Sequence, residues 1–148
     1  MDNIHKLVRN YSGKRDADKL LKSIIKTIVK IGILHKNDLF TEHELKLVDE
    51  FRNRFHSLAK SIVTLHEVQF RFDRSVLIRL CKECQDLTHQ IISTHLTPKS
   101  HLRIDYVFNT VSNLPFLEYA FNPDSAVNRA IVKEIVDDMN TLMDAGFL

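Results

Sequence analysis

The segment from Asp18 to Lys36 has the strongest hydrophobic pattern in the chain. On a helical wheel its lysines fall on one narrow stripe, while aliphatic side chains cover the remaining arc of about 260°. A surface helix needs an apolar stripe of only about 100° to pack against one core. The pattern therefore predicts a central helix and leaves two alternatives open. Either other helices bury it on several sides, or one apolar side faces the core and another lines a cavity. The polar stripe consists of Lys19, Lys22, Lys26 and Lys30.

Apolar residues at helical spacing, together with capping signals, predict further helices on both sides of this segment. The first covers about Asp2 to Tyr11 and is broken by Ser12-Gly13. Thr41-x-x-Glu44 is a capping box, which is typical of a helix start. The next two predicted helices run from about Glu42 to His66 and from a cap at Asp73 to about His95, with an ordered connector over 67–72 between them. The last three run from a cap at Thr97 to about Ser112-Asn113, around Pro115 to Phe121, and from a cap at Ser125 or Asp124 to just before Gly146.

Composition agrees with an all-α fold. The 148 residues include only three glycines and three prolines, which favours long helices over many tight turns. We expect a single compact bundle of about six to seven helices forming one domain over residues 1–148. The net charge of +2 gives no indication of nucleic-acid binding. The presence of only two cysteines suits a reduced, cytoplasmic compartment, and lysines interrupt the best candidate for a membrane span.

The sequence contains no motif that indicates catalysis. We find no glycine-rich phosphate loop and no nucleophile in a recognisable setting, so we expect neither an enzyme nor a cofactor. Cys81-x-x-Cys84 lies on one face of the fourth helix without further metal ligands at fitting spacing, so we interpret both thiols as core groups and predict no metal site. His66 and His95 are interpreted as core or helix-end hydrogen-bonding residues.

Three cations fall on apolar arcs of their helices. On the third helix Arg52 points with the apolar residues, and His35 and Lys36 do so at the end of the central helix. A cation that points into an apolar interior is costly unless it is paired or lies at a wet opening. Two interpretations remain: a buried ion pair or snorkelling side chain, or a cationic rim on an apolar pocket that suits an anionic head group.

The segment 95–113, HLTPKSHLRIDYVFNTVSN, resembles the signature of the tumour necrosis factor-alpha-induced protein 8 family, also called the TIPE family. That signature is an HLTxKSHGR segment followed by VFDHFSD. LHKNDLF at 34–40, FRNRFH at 51–56, EVQFRFDRSVL at 67–77, ECQDL at 83–87 and the terminal DDMNTLMDAGFL are also similar to the family. Among the positions that depart from the signature, Leu102 replaces a glycine, and Asn109 and Asn113 replace acids.

The resemblance implies a TIPE homology domain, in which helices form a cylinder around a large central apolar cavity. Members of the family bind phosphoinositides and other lipids there, some transfer lipids, and they influence cell death, inflammation and cell migration. Carried over by motif, basic residues at the cavity mouth match Lys36 in LHKN and Arg52 in FRNR. The resemblance also implies that the chain starts within the family's first helix and lacks its basic N-terminal segment.

We therefore expect a non-enzymatic, cytoplasmic protein that binds a phospholipid or phosphoinositide, contacts membrane surfaces reversibly, and has signalling proteins as partners but not nucleic acid. It would present or transfer its lipid. The alternative is a helical adaptor with a solid core in cell-death or small-GTPase signalling. The head group would lie near Lys36, Arg52 and His35. The predicted cavity lining consists of Ile25, Ile28, Val29, Phe51, Phe55, Ile62, Leu80, Cys84, Ile91, Ile135 and Met139.

Overall fold

The computed structural model describes residues 1–68 and 74–146, and its regular structure in these ranges is entirely α-helical. This confirms the predicted all-α fold and the upper end of the predicted helix number. The seven helices are α1 (Asp2–Ser12), α2 (Lys14–Lys36), α3 (Glu42–Glu67), α4 (Ser75–Ile92), α5 (Pro98–Val111), α6 (Leu114–Ala120) and α7 (Ala126–Asp144).

Six of the helices pack in a closed circuit. Along it, α2 packs against α1, α1 against α7, α7 against α3, α3 against α4, α4 against α5, and α5 again against α2. The short helix α6 packs against α1, α5 and α7. Each helix of the circuit therefore has a neighbour on two sides, which leaves a third side to face either the interior or the solvent.

Two apolar clusters hold the circuit together. The first has buried members from α1 to α4, α6 and α7, with half-buried side chains of α5 packed against them, and it includes Leu20 of α2, Leu65 of α3 and Val132 of α7, each at most 2% exposed. The second lies among α2 to α5 and is centred on Ile92 and Ile104. Because burial of an aliphatic side chain contributes about 1.5–3 kcal/mol, these clusters supply the main stabilisation of the fold.

Local signals set most of the helix boundaries. The capping box of Thr41 and Glu44 is formed, and the Ser125 side chain caps α7. Gly13 has φ 101° and separates α1 from α2, while Gly146 has φ 80° just after α7. Both dihedrals lie in a region that glycine adopts without steric cost, which explains why the helices end there.

Two boundaries differ from the predicted ones by more than about two residues. Helix α4 ends at Ile92 rather than near His95, because the amides of His95 and Leu96 both bond to the Ile92 carbonyl at 3.0 Å and close a turn. Helix α2 begins at Lys14, directly after the glycine break, rather than at Asp18. The predicted cap at Asp73 and most of the connector over 67–72 lie outside the described residues.

The interpretation of α2 as buried on several sides was wrong. Its apolar arc divides into a side that packs in the clusters and a side that stays exposed, here called the α2 face. The lysine stripe is not wholly solvated either: Lys30 donates to Ser100 Oγ of α5 at 3.1 Å, and Lys19 lies 4.2 Å from the centre of the Tyr106 ring. The α2 face consists of Ile25, Ile28, Val29 and Ile33, which are 48–60% exposed.

A buried carboxylate joins the start of α3 to the turn after α4. Glu44 Oε1 accepts from the Thr41 amide at 2.8 Å and from His95 Nε2 at 2.9 Å, and Oε2 accepts from the Thr94 hydroxyl at 3.3 Å. The Thr41 amide and the His95 imidazole favour the ionised form, so the pKa of Glu44 falls from 4.5 to about 2 despite its burial. His95, predicted as a core or helix-end hydrogen-bonding residue, makes its hydrogen bond from the turn between α4 and α5.

The substitution Glu44→Gln should remove an acid-sensitive part of the stability. Because the pKa of Glu44 is depressed in the folded state, its contribution is complete above about pH 4.5 and is lost as the pH falls towards 2. We expect the native protein to lose about 2 kcal/mol of unfolding free energy over this interval, and the variant to lose measurably less. Urea unfolding across the interval measures the difference, and Glu42→Gln, an exposed carboxylate in the same turn, is the control. Equal acid losses in native protein and Glu44→Gln would contradict the assignment.

Candidate functional site

The three predicted head-group residues lie on exposed parts of two helices. His35 and Lys36 are the last residues of α2, and Arg52 lies in the middle of α3. Arg52 Nη2 donates to the Gly146 carbonyl at 2.9 Å, which ties α3 to the chain just after α7. The interpretation of these cations as a buried ion pair is therefore wrong, since all three are exposed.

The α2 face leads directly to one of these cations. Ile25, Val29 and Lys36 follow at intervals of four and seven residues, so they lie on one side of the helix. The opposite side carries Leu20 and Leu34, which are buried. An apolar surface next to a terminal cation is thus presented by one helix whose other side is fixed in the core.

The predicted lining residues do not share one environment. Ile25, Ile28 and Val29 belong to the exposed α2 face, whereas Leu80 and Ile91 are buried in the two clusters. Where each lies is known, but their contact with a ligand stays a prediction. Cys84 is also buried, and the half-buried members of the set are Phe51, Phe55, Ile62, Ile135 and Met139.

Both cysteines are core groups, as predicted. Cys81 is 5% exposed and Cys84 is fully buried. Burial raises the pKa of the Cys81 thiol to about 12 and that of Cys84 to about 11, so the nucleophilic thiolate is disfavoured at neutral pH. Within residues 1–68 and 74–146, no group of three or more His, Cys, Asp or Glu side chains is arranged to hold a metal ion.

A second polar cluster was missed by the sequence analysis. It joins Gln85 and His89 of α4 to His101 and Asp105 of α5. Gln85 and His89 are four residues apart on α4, so they share one side of that helix, and the same is true of His101 and Asp105 on α5. This spacing is the sequence signal that could have found the four residues. His89 and His101 also line a groove of about 600 Å³ between the start of α3 and the end of α4.

Comparison with known proteins covers nearly the whole chain. The family model described as tumor necrosis factor alpha-induced protein 8-like matches residues 1–146. Tumor necrosis factor alpha-induced protein 8 of Homo sapiens is 39% identical over 145 residues, which are 97% of this chain and 73% of the human protein. Tumor necrosis factor alpha-induced protein 8-like protein 1 of Danio rerio is 38% identical over 149 residues, which cover 100% of this chain and 80% of the Danio rerio protein.

The chain belongs to this family. The tumor necrosis factor alpha-induced protein 8-like family is linked to cell death and inflammation. In the described part of the chain, no helix combines the length and the hydropathy required to cross a bilayer.

The structure gives the signature segment of this family a structural role. His95 bonds to Glu44 of α3, Ser100 accepts from Lys30 of α2, and His101 bonds to His89 of α4. The segment therefore connects α5 and the turn before it to three other helices.

The structure accommodates the departures from the signature at Leu102, Asn109 and Asn113. Leu102 is 68% exposed, so its side chain meets solvent where the signature has glycine. Asn113 accepts from the Phe116 amide at 3.0 Å and caps α6, a role that asparagine and aspartate fill equally well. Asn109 is exposed on α5. None of the three substitutions disturbs the packing of the signature segment.

Thiol labelling should separate the folded from the unfolded protein. Because both thiols are buried and their pKa values are raised, we expect Cys81 and Cys84 to react with iodoacetamide at least about tenfold more slowly in native protein than in urea-unfolded protein at mildly alkaline pH. Mass spectrometry of timed samples measures both rates. Equal rates under the two conditions would show that the cysteines are accessible.

The α2 face should tolerate a larger side chain. Ile28 is 60% exposed, so Ile28→Trp should change the unfolding free energy by less than about 0.5 kcal/mol. Leu20→Trp is the matched control on the same helix, where burial leaves no room and overpacking should cost about 1–3 kcal/mol. Urea denaturation of both variants measures this contrast, and a similar cost at both positions would rule out an open α2 face.

Proposed function

We propose that this protein is a non-enzymatic lipid-binding protein that takes a phosphoinositide-type ligand. The α2 face forms an apolar wall for the acyl chains, and Lys36, Arg52 and His35 contact the anionic head group. The observation that carries the proposal is the exposure of four aliphatic side chains in a row beside a terminal cation. The protein acts in the cytoplasm, contacts membranes reversibly, and presents or transfers its lipid in signalling that affects cell death and inflammation.

The apolar wall has the dimensions of an acyl-chain contact. From Ile25 to Ile33 the α2 face extends eight residues, or about 12 Å along the helix axis. Complete burial of a Val or Ile side chain is worth about 1.5–3 kcal/mol, so covering four half-exposed side chains would favour binding by several kcal/mol. A flexible hydrocarbon chain can follow such a row without polar groups that need partners.

The cations suit a phosphorylated head group. Lys36 supplies a compact charge at the end of the α2 face, and Arg52 supplies a planar fork that matches phosphate oxygens. Arg52 uses one N–H in its bond to Gly146, whereas a guanidinium has five donors. Further donors therefore remain for a phosphate.

The packed clusters favour one alternative, a helical adaptor that works through protein contacts. Cys84 and Ile92 are completely buried, so the interior around these two side chains is packed. On this alternative the α2 face would receive a protein rather than a lipid. Lipid extraction followed by mass spectrometry separates the two functions, because only a lipid-binding protein should carry a stoichiometric phospholipid after purification.

Charge reversal at the rim should weaken binding to phosphoinositide vesicles. A charge-assisted hydrogen bond contributes about 1.5–3 kcal/mol, so Lys36→Glu should lower the affinity about ten- to a hundredfold or more. Arg52→Gln should lower it similarly, because it removes the cation. Vesicle flotation with phosphoinositide in phosphatidylcholine measures the affinity, and circular dichroism checks the fold.

Two controls separate specific binding from general charge attraction. Lys60→Glu reverses an exposed lysine on α3 outside the proposed rim and should retain native affinity. Vesicles that carry phosphatidylserine at equal surface charge should bind more weakly than those with phosphoinositide. Native affinity in both Lys36→Glu and Arg52→Gln, with the helix content intact, would remove these residues from the site.

A further inference from the structure

The imidazole rings of His89 and His101 lie edge to edge between α4 and α5. Their planes differ by 10°, their centroids are 4.8 Å apart, and their Nδ1 atoms are 2.5 Å apart. In rings stacked face to face, no atom of one ring would come closer than about 3.5 Å to an atom of the other. The much shorter nitrogen separation therefore means that the rings share a plane and that one Nδ1–H points at the other Nδ1.

The neighbouring carboxylate determines which ring donates. Burial raises the pKa of Asp105, but hydrogen bonds from Gln85 and His89 outweigh this effect and lower it, so Asp105 is ionised and only accepts. His89 Nε2 must then carry the proton that bonds to Asp105. A neutral imidazole has one N–H, so His89 Nδ1 accepts and His101 Nδ1 donates.

This chain of hydrogen bonds can take up one proton but not two. With one added proton the His pair shares a single positive charge beside Asp105, and one Nδ1 still accepts. With two added protons both Nδ1 atoms carry hydrogen, so the bond between the rings cannot form. Two like charges would then lie within hydrogen-bonding distance of each other, which is strongly unfavourable.

We propose that the His89–His101 pair is an acid-sensitive latch between α4 and α5, which holds the helices together at neutral pH and releases them when both imidazoles are protonated. The groove of about 600 Å³ that both rings line gives water access to the pair. The latch does not depend on lipid binding.

The charged groups around the His89–His101 pair do not offset the repulsion between two protonated imidazoles. Asp105 is the carboxylate bonded to the pair, and it neutralises one positive charge but not two. Lys82 of α4 acts on Asp105, and Lys30 of α2 bonds to Ser100 next to His101, so both add positive charge nearby. From α3, His43 and Glu44 line the same groove, but the Glu44 carboxylate is already bonded to Thr41 and His95.

Opening of the latch would weaken the contacts that connect the start of α5, and the turn before it, to α2, α3 and α4. Ser100 directly precedes His101 and bonds to α2, and His95 at the start of the same segment bonds to α3. Separation of His101 from α4 therefore disturbs the end of α5 that also holds these contacts. The groove would widen when the latch opens.

The substitution His101→Gln tests the latch. A glutamine amide can donate to His89 Nδ1 but does not titrate, so His89 can then be protonated beside Asp105 without a second charge. As the pH falls from about 7.5 to 5.5, the unfolding equilibrium constant of native protein should rise about five- to tenfold. The variant should show no such rise. Urea unfolding at each pH measures both constants.

His43→Gln is the matched control, because His43 is exposed in the same groove but takes no part in the chain of hydrogen bonds. It should retain the native pH dependence. In ¹⁵N-labelled native protein, NMR should also detect a coupling between the two Nδ1 atoms at neutral pH that disappears on acidification. The same pH dependence in native protein and His101→Gln, or a coupling that persists in acid, would overturn the proposal.

Discussion

The ionised carboxylate of Glu44 is the interaction on which the arrangement of α2 to α5 depends. A buried charge is costly unless its oxygens are fully bonded, and here the Thr41 amide, His95 and Thr94 provide those bonds. The bonds to residues 94 and 95 fix the turn between α4 and α5 against the start of α3. Once this turn is fixed, α5 starts where Ser100 meets Lys30 of α2. One buried charge thus joins the start of α3 to the turn that precedes α5.

The polar segment 95–101 gives the contacts between these helices defined directions. Apolar clusters stabilise a bundle, but the hydrophobic effect is non-directional. Hydrogen bonds from His95, Ser100 and His101 have defined directions, and each reaches a different helix. The positions at which the chain departs from the signature, such as the exposed Leu102, carry none of these three bonds.

Sequence reasoning succeeded where a structural signal is local and failed where it depends on a neighbour. The capping box at Thr41 and the cap at Ser125 set helix starts within one turn, so the sequence contains the whole signal. By contrast, Leu20 and Ile28 look alike on a helical wheel but are 1% and 60% exposed. The wheel shows which residues are apolar, not which of them another helix covers. For the same reason it could not pair His89 with His101, because that pairing requires knowledge of which sides of α4 and α5 meet.

The two sides of α2 make a packed core compatible with the proposed lipid site. The sequence posed them as alternatives, since the same apolar arc could fill a core or line a cavity. In the structure Leu20 and Leu34 lie on the buried side, whereas Ile25 and Val29 lie on the opposite, exposed side. The packed side fixes the helix, so the exposed side is a preorganised surface, and a ligand would lose little free energy in ordering it. Lys36 ends this surface at the C-terminus of α2, where the helix dipole favours a cation. A rigid core is therefore a condition for an apolar site on this helix rather than evidence against it.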